Sequence, residues 1–306
     1  MNATPDAAAA RPLPPTEQRL EASADLDALP AAEVLRLLNE QDRVAVDAVQ
    51  RIIPQLAELV DLAAESFRAG GNVHYFGAGT SGRLGVLDAA ELRPTFNLER
   101  GRVVAHIAGG ETALLDAVEN AEDSEEEGAA AAAGLRPGDV AVGLAASGNT
   151  PYVGGALRAA RAAGAHTVLI SSNPHASLAP LADIDIVLET GAEVLTGSTR
   201  LKAATAEKLV LNGFSTALMV AVGRTWGNLM VSVVATNAKL RERTVRILRE
   251  ATGIEDAEAR ERLEEAGGDL KTAIVMTVAS VTAAEASAAL AAGSGSVRAA
   301  LAHLAV

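Results

Sequence analysis

A glycine-rich segment between an apolar run and a helical stretch carries the residue types that bind phosphate. Residues 77–85 read Gly-Ala-Gly-Thr-Ser-Gly-Arg-Leu-Gly and follow the apolar run 73–76. A turn of this kind leaves backbone N–H groups unpaired at the positive end of a helix dipole, where a phosphate binds well. Thr80 and Ser81 follow Gly79 and add hydroxyl groups, which suits a phosphate monoester. We name residues 77–85 the first turn.

The first turn also permits two other interpretations. Gly77, Gly79 and Gly82 satisfy the G-x-G-x-x-G pattern of dinucleotide-binding folds, in which an acidic residue about 20 positions further on binds the ribose. This chain has Arg102 in that region, so we expect no nicotinamide cofactor. The second alternative, a turn that only packs a strand against a helix and binds no ligand, stays open.

A second small polar turn follows another apolar run. Residues 145–150 read Ala-Ala-Ser-Gly-Asn-Thr, come directly after the run 139–144 and open a helical stretch. In an open α/β sheet, ligands bind at the carboxyl ends of the strands, so two such turns converge on one ligand. The pairing favours binding over plain packing. The candidate residues of this second turn are Ser147, Gly148, Asn149 and Thr150.

Two further polar segments allow a binding and a structural interpretation equally. Residues 171–174 read Ser-Ser-Asn-Pro and follow a predicted strand. This composition suits either a loop at the rim of the site or a simple turn. Residues 196–202, which include Ser198, begin a long helical pattern. A capped helix start accounts for the Ser and Thr residues there as well as a ligand does.

Three glutamates are candidates for moving protons. Glu91 is predicted to end the helix that the first turn begins, whereas Glu119 and Glu122 are predicted to lie on the helix after the second strand. Paired carboxylates divide general acid and general base roles when burial separates their pKa values. Spacing alone does not choose between Glu119 and Glu122. Residues 125–127 are three further glutamates, and such a run of acids indicates a face of the protein exposed to solvent.

The elements that position these residues alternate between strands and helices. Apolar runs at 73–76, 102–107, 139–144, 166–171 and 184–188 predict a parallel sheet wrapped by helices. Apolar spacing over 49–67 predicts one long helix that ends at Gly70-Gly71, with a kink at Pro54. Helical patterns at 200–222 and 228–248 follow, then short helices over 255–306. We divide the chain into a disordered leader (1–16), an α/β domain with flanking helices (17–250) and a helical domain (251–306).

Composition excludes several function classes. The net charge of −13 and the 2% aromatic content disfavour nucleic-acid binding. The chain has no cysteine, which excludes disulfides and thiolate sites, and its five histidines lack the spacing of metal ligands. No apolar run approaches the ~18 residues of a membrane helix, and the N-terminal residues lack a basic segment followed by an apolar core. We therefore expect a cytoplasmic protein with no metal and no membrane contact.

With both turns in place, the chain resembles the sugar isomerase (SIS) domain, whose fingerprint is a Ser-Gly-x-Thr loop, here Ser147 to Thr150. It resembles more closely the family of N-acetylmuramic acid 6-phosphate etherases. The matching blocks, in the family's order, are 77–85, 87–89 with Glu91, 107–111, 121–124, 145–152, 191–198, 227–231 and 235–237. The resemblance implies an α/β three-layer sandwich with a five-stranded parallel sheet, followed by a helical C-terminal region.

The resemblance also implies a reaction without a cofactor. The ring-opened sugar loses its C2 proton, D-lactate leaves C3, and water adds to give N-acetylglucosamine 6-phosphate, a step of peptidoglycan recycling. By motif, Glu91 is the acid that protonates lactate and Glu122 is the base at C2. The implied substrate-binding residues are Gly79, Thr80, Ser81, Ser147, Gly148, Asn149, Thr150 and Ser198.

The resemblance implies a homodimer with sites near the subunit interface. One departure concerns the second turn: SIS domains often carry a serine two residues before Ser147, and this chain has Ala145 there. Two alternatives stay open. The glucokinase regulatory protein, a relative of the etherases, keeps these loops but only binds sugar phosphates, and other SIS enzymes are aldose–ketose phosphosugar isomerases.

Overall fold

The computed structural model describes residues 13–233 and 238–305. Its first part alternates helices and strands, as the sequence predicts. These elements are α1 (Ala31–Arg51), α2 (Ile53–Arg68), β1 (Val73–Gly77), α3 (Gly79–Phe96), β2 (Val103–Ile107), α4 (Glu125–Ala131), β3 (Val140–Leu144), α5 (Pro151–Ala162), β4 (His166–Ser171), β5 (Ile184–Val187) and α6 (Lys202–Ala221). Each of the five predicted strands is confirmed to within one residue at either end.

The five strands form one parallel sheet in the order β2-β1-β3-β4-β5. The strand β1 pairs with both β2 and β3, so that Gly77 at its carboxyl end lies opposite Ile107 and Leu144. From β1 the chain adds β2 on one side and β3, β4 and β5 on the other, so the strand order reverses between β1 and β3, and the carboxyl edge there is the topological switch point of the sheet. Both candidate turns therefore leave adjacent central strands.

Helices cover both faces of the sheet, which confirms the three-layer α/β architecture. On one face, α2, α3 and α6 bury Tyr75, Val142 and Ile170 together with Leu211 and Phe214. On the other face, α4 and α5 cover a second set of sheet residues that includes Phe76, Ala141 and Leu169. Because successive strand residues point to opposite faces, neighbours such as Tyr75 and Phe76 belong to different layers.

Three helix predictions in this first part need correction. The single helix predicted over 49–67 is two helices, α1 and α2, which meet at Ile52. Pro54 lies in the first turn of α2, where its missing N–H leaves no bond unmade, so it starts a helix rather than kinking one. The helix α3 does not end near Glu91 but continues through Pro94 to Phe96 and stops at Asn97, whose φ is +49°.

The second part is helical, as predicted, and has its own core. Its elements are β6 (Thr225–Trp226), β7 (Leu229–Met230), α7 (Ala238–Thr252), α8 (Asp256–Glu265), α9 (Leu270–Ala279), α10 (Ala283–Ala292) and α11 (Val297–His303). The predicted helix over 228–248 is wrong at its start, because β6 and β7 form a small hairpin around Gly227, whose φ is +55°. The matching block 235–237 lies outside the described residues.

The domain boundaries stay predictions. The second core includes Val245 and Leu248 of α7 as well as residues of α8 to α11. Near the N-terminus, Thr16 is fully buried and its carbonyl accepts a hydrogen bond from Gly197 N at 3.1 Å. Residues 1–12 of the predicted leader lie outside the described residues.

Within residues 13–233 and 238–305, no single helix combines the length and apolarity needed to cross a membrane. The pair α9 and α10 reaches that length and composition together, but the two helices are bent by 107°. Both helices contribute buried side chains to the second core.

Candidate functional site

The first turn is built by close backbone packing. A side chain at Gly82 would place its Cβ 2.8 Å from the carbonyl oxygen of Gly77 and 2.7 Å from the Ile107 side chain. Gly79, the first residue of α3, has a φ of +52°, which a glycine adopts without strain. The turn therefore brings the unpaired N–H groups at the start of α3 directly onto the end of β1.

The hydroxyl of Ser81 does not point freely into solvent. Ser81 is 9% exposed, and its Oγ donates to Oε2 of Glu207 on α6 at 2.7 Å. Glu207 is 4% exposed, and burial raises its pKa to about 7, although the hydrogen bond from Ser81 lowers it. The other carboxylate oxygen, Oε1, is buried and has no hydrogen-bonding partner within the described part of the chain.

Glu207 is a residue that the sequence analysis missed. It lies on the apolar stripe of α6, spaced three, four and seven residues from the buried Val210, Leu211 and Phe214. An acid on the buried stripe of an amphipathic helix is unusual, because burying a carboxylate is costly. The place of this acid on the buried stripe is the sign of a functional role that the sequence offers. The contact with Ser81 leaves no such sign in the sequence, because the two residues are 126 positions apart.

A second buried carboxylate fixes α3 against α6. Asp88 accepts hydrogen bonds from the Tyr75 hydroxyl at 3.0 Å, from Asn212 Nδ2 at 2.8 Å and from the Ser215 hydroxyl at 2.9 Å. Burial raises the pKa of Asp88, whereas these three hydrogen bonds lower it. The network holds β1, α3 and α6 in one arrangement behind the first turn.

The second turn is more exposed and is held by its backbone. Gly148 has a φ of +68°, and a side chain there would bring its Cβ within 2.3 Å of the Ala176 Cβ. The Oγ of Ser147 accepts a hydrogen bond from Asn149 N at 3.2 Å. Asn149 is exposed, and Thr150 immediately precedes α5, so the unpaired N–H groups of α5 face the same edge as those of α3.

Hydrogen bonds from the segment after β4 hold the second turn in place. Asn173, which is buried, donates from Nδ2 to the carbonyl of Ser147 at 2.8 Å, and Ser177 N donates to Oδ1 of Asn149 at 2.8 Å. The segment 171–174, for which the sequence allowed a rim loop or a simple turn, therefore braces Ser147 through Asn173, and Ser177 just beyond it braces Asn149.

The candidate glutamates lie in different places. Glu91 is exposed on α3, about 18 Å along the helix axis from Gly79 at a rise of about 1.5 Å per residue. Glu122 is exposed in a short 3-10 turn, Ala121–Asp123, which packs against α5. Glu119 and Glu122 do not share a helix, contrary to prediction, because Asn120 between them has a φ of +59°.

Ser198 lies in the segment before α6 and has no side-chain hydrogen bond to either turn within the described part of the chain. The start of α6 is capped instead by Glu193, whose carboxylate accepts from Lys202 N at 3.3 Å and Ala203 N at 3.0 Å. Glu193 is fully buried, which raises the pKa of its carboxyl group. The capping role that the sequence allowed for the serines and threonines of this segment thus belongs to a glutamate.

No group of three or more His, Cys, Asp or Glu residues within the described ranges has an arrangement that could hold a metal ion.

The chain is similar to proteins of known family. Residues 55–161 match the glucokinase regulatory protein N-terminal SIS domain, and residues 114–211 match the SIS domain. The chain is 55% identical over 261 residues to the N-acetylmuramic acid 6-phosphate etherase of Thermobifida fusca (strain YX), an alignment that covers 85% of this chain and 86% of that protein.

Two other relatives carry the same name. The etherase of Klebsiella aerogenes is 49% identical over 290 residues, which cover 94% of this chain and 97% of that protein. The etherase of Cutibacterium acnes (strain DSM 16379 / KPA171202) is 51% identical over 288 residues, which cover 94% and 95%. Identity at this level over nearly the whole length means that the chain belongs to the N-acetylmuramic acid 6-phosphate etherase family.

Proposed function

We propose that the protein cleaves the D-lactyl ether of N-acetylmuramic acid 6-phosphate and releases D-lactate and N-acetylglucosamine 6-phosphate. The observation that carries the proposal is the pair of turns on adjacent central strands in a chain of this family. Both turns bring a helix N-terminus and hydroxyl-bearing residues to one edge of the sheet, which suits a phosphate monoester. Peptidoglycan recycling is the process that this reaction serves.

In this proposal the phosphate binds between the turns and orients the sugar. The contacts come from Gly79, Thr80, Ser81, Ser147, Gly148, Asn149 and Thr150, with Ser198 at the margin. A phosphate held far from the reacting carbons turns its binding energy into orientation of C2 and C3. No cofactor is needed, because the ring-opened sugar supplies its own aldehyde.

The chemistry needs a base and an acid. Glu122 removes the C2 proton, which the neighbouring aldehyde acidifies, and the resulting electron pair expels the ether oxygen from C3. Glu91 gives that oxygen a proton, so that lactate leaves as an alcohol, and afterwards assists the addition of water. The packing of the 3-10 turn of Glu122 against α5 supports its place beside the second turn.

The place of Glu91 supports a homodimer with shared sites. A sugar phosphate is much shorter than the ~18 Å that separate Glu91 from the start of its own helix. Glu91 is instead exposed, and two apolar side chains on or near α3 are exposed too: Leu87, one turn before Glu91, is 51% exposed, and Leu115 is 91% exposed. Arg83 holds the segment of Leu115 against α3 by donating to the carbonyls of Leu114 and Asp116. A second copy covering this face would receive Glu91 into its own site.

The reaction is tested by incubating the protein with N-acetylmuramic acid 6-phosphate and assaying D-lactate. Release of lactate supports the proposal. Binding without lactate supports a phosphosugar-binding regulator, and a ketose phosphate product supports an isomerase. The cytoplasmic location stays a prediction.

Shared sites are tested by mixing two inactive variants. A site that takes Glu91 from one subunit and Glu122 from the other is intact once in each heterodimer of Glu91→Gln and Glu122→Gln subunits. Random reassembly of an equal mixture should restore about one quarter of the wild-type activity. Both variants alone serve as controls, and a mixture as inactive as either would place both glutamates in one subunit's site.

A further inference from the structure

The contact between Ser81 and Glu207 joins the first turn to a buried acid for which the etherase chemistry has no use. Ser81 Oγ lies 2.7 Å from Glu207 Oε2, and both side chains are at least nine-tenths buried. Within the described ranges, Ser81 is the only hydrogen-bonding partner of the Glu207 carboxyl group, and the second oxygen of that group has none. An ionised carboxylate would leave that oxygen charged and unsatisfied in a dry site, which is costly.

The ionisation of Glu207 decides what the Ser81 hydroxyl can do. A serine hydroxyl has one proton to donate and two lone pairs to accept with. While Glu207 is ionised, it can only accept, so the hydroxyl proton of Ser81 is committed to it. Once Glu207 is protonated, its own O–H can donate to Ser81 Oγ. The serine proton is then free for another acceptor.

A bound phosphate favours the protonated state of Glu207. Two negative groups that share one serine repel each other, and burial on α6 gives the carboxylate little solvent to screen that repulsion. Burial has already raised the pKa of Glu207 to about 7, so the additional repulsion acts on a group that is close to half-protonated at neutral pH.

The surrounding charges do not substitute for a proton on Glu207. The charged side chains that face α6 from the packed elements, or that belong to it, are Asp88 on α3, Asp42 on α1, Arg68 on α2, Glu193 and Lys202 at the helix start, and the exposed Lys208. Arg83 on α3 donates instead to the carbonyls of Leu114 and Asp116. These groups have other hydrogen-bond partners or are exposed, and the remaining charged side chains of α1 and α2 are exposed too. No cation is paired with Glu207 among the described residues.

We propose that Glu207 is a positioning residue that takes up one proton from solvent when the substrate's phosphate binds, and so releases the Ser81 hydroxyl to donate to that phosphate. The proposal rests on the assignment of the first turn to the phosphate. It predicts that phosphate affinity falls as pH rises, because binding above neutrality requires a proton that the free protein has lost.

The test measures binding of the product, N-acetylglucosamine 6-phosphate, to the full-length protein by calorimetry between pH 6 and 9. Glu207→Gln is the matched variant, because its amide N–H₂ donates to Ser81 Oγ at every pH. The ratio of the wild-type Kd to the variant Kd should rise about tenfold per pH unit once pH exceeds the Glu207 pKa. This ratio cancels the titration of the sugar phosphate itself, which both proteins experience.

Proton uptake gives a second readout. Titrations at pH 8 in two buffers of different ionisation enthalpy should show nearly one more proton bound by the wild type than by Glu207→Gln. Asp185→Asn on β5 is the control, because burial raises the pKa of Asp185 too but the residue lies on the far edge strand. Its binding profile should follow the wild type.

Equal Kd profiles or equal proton uptake in the wild type and Glu207→Gln would overturn the proposal. If Glu207→Gln fails to fold, Ser81→Ala gives the same information. Its Kd should exceed the wild-type value at pH 6 and converge on it at pH 9, whereas a constant ratio would contradict the proposal. Failure of the proposed reaction is distinct, since it would appear as an absence of lactate from the wild-type protein.

Discussion

The turn after β1 and the turn after β3 leave neighbouring strands, yet they hold their hydroxyl groups in different ways. In the first turn, Ser81 is buried and donates to a carboxylate on α6. In the second turn, Ser147 is half-buried and its Oγ accepts from a backbone N–H, which leaves its proton uncommitted. Glycine packing shapes the first turn, whereas hydrogen bonds from the segment after β4 brace the second.

Because of this difference, Ser81 is a conditional hydrogen-bond donor and Ser147 is a permanent one. A hydroxyl that accepts from the backbone can always donate to a ligand, but a hydroxyl that donates to an acid must first be released. Each turn also leads to a different glutamate: α3 carries Glu91 about 18 Å along its axis from Gly79, and α5 packs beside the 3-10 turn of Glu122. Changes in either turn should therefore affect binding and catalysis differently.

The largest expected effect separates the two glutamates. Glu91→Gln should lower the rate of lactate release about 10²–10⁴-fold, because the leaving oxygen loses its acid. It should still exchange the C2 proton of the substrate with solvent, which deuterium incorporation in D₂O measures by NMR. Glu122→Gln is the matched variant and should lose both reactions. Loss of exchange in Glu91→Gln would contradict its role as leaving-group acid.

The second effect is on the free energy of unfolding and arises from Glu207, the acid hydrogen-bonded to the first turn. The pKa of Glu207 is about 7 in the folded protein and about 4.5 when exposed, so the folded state retains a proton that the unfolded state has lost between these values. The free energy of unfolding of the wild type should therefore fall relative to Glu207→Gln as pH rises from 4.5 to 7, by on the order of 3 kcal/mol in all. Above pH 7 the difference should stay constant.

Denaturant unfolding of both proteins at pH 4.5, 6 and 8 measures this effect. Comparison of the two proteins at each pH cancels the contributions of all other titrating groups. A difference that does not vary with pH would show that Glu207 titrates normally and would remove the physical basis of the conditional donor.

The sheet and its turns are the parts that the sequence predicts well. Strands such as 140–144 are buried on both faces and read as continuous apolar runs, here preceded by Gly138 and Asp139, so their position follows from local pattern. The two turns follow because only small residues fit where a backbone approaches another chain segment, as Gly82 does with Gly77. The parallel order then brings both turns to one edge.

The failures have two physical sources. Some are local alternatives of nearly equal energy, such as the break at Ile52, where Pro54 both disrupts a helix and starts one. The same holds for the left-handed Asn120, which separates Glu119 from Glu122. The others are contacts between distant segments. The Ser81–Glu207 bond and the brace from Asn173 to Ser147 join residues that no sequence periodicity relates.

A smaller effect compares the two serines directly. Ser147→Ala should raise KM by about 5–30-fold, equivalent to ~1–2 kcal/mol, through loss of a donor to phosphate. The factor should be the same at pH 6 and pH 8.5, because no acid controls Ser147. Ser81→Ala should raise KM at pH 6 but have little effect at pH 8.5. Equal behaviour of the two variants would remove the distinction between the turns, and an unchanged KM for Ser147→Ala would move the phosphate elsewhere.

The smallest effect distinguishes bracing from binding within the second turn. Asn149 uses Oδ1 to accept from Ser177 N at 2.8 Å, which leaves its Nδ2 to donate to a ligand. Asn149→Asp keeps the acceptor, so its free energy of unfolding should match the wild type, whereas Asn149→Ala should lose about 1 kcal/mol. Both variants should weaken binding of N-acetylglucosamine 6-phosphate, and the aspartate more so, because its charge repels the phosphate. An aspartate variant with wild-type affinity would show that Asn149 only braces the turn. Ser147 and Thr150 would then be the residues of the second turn that donate to the phosphate.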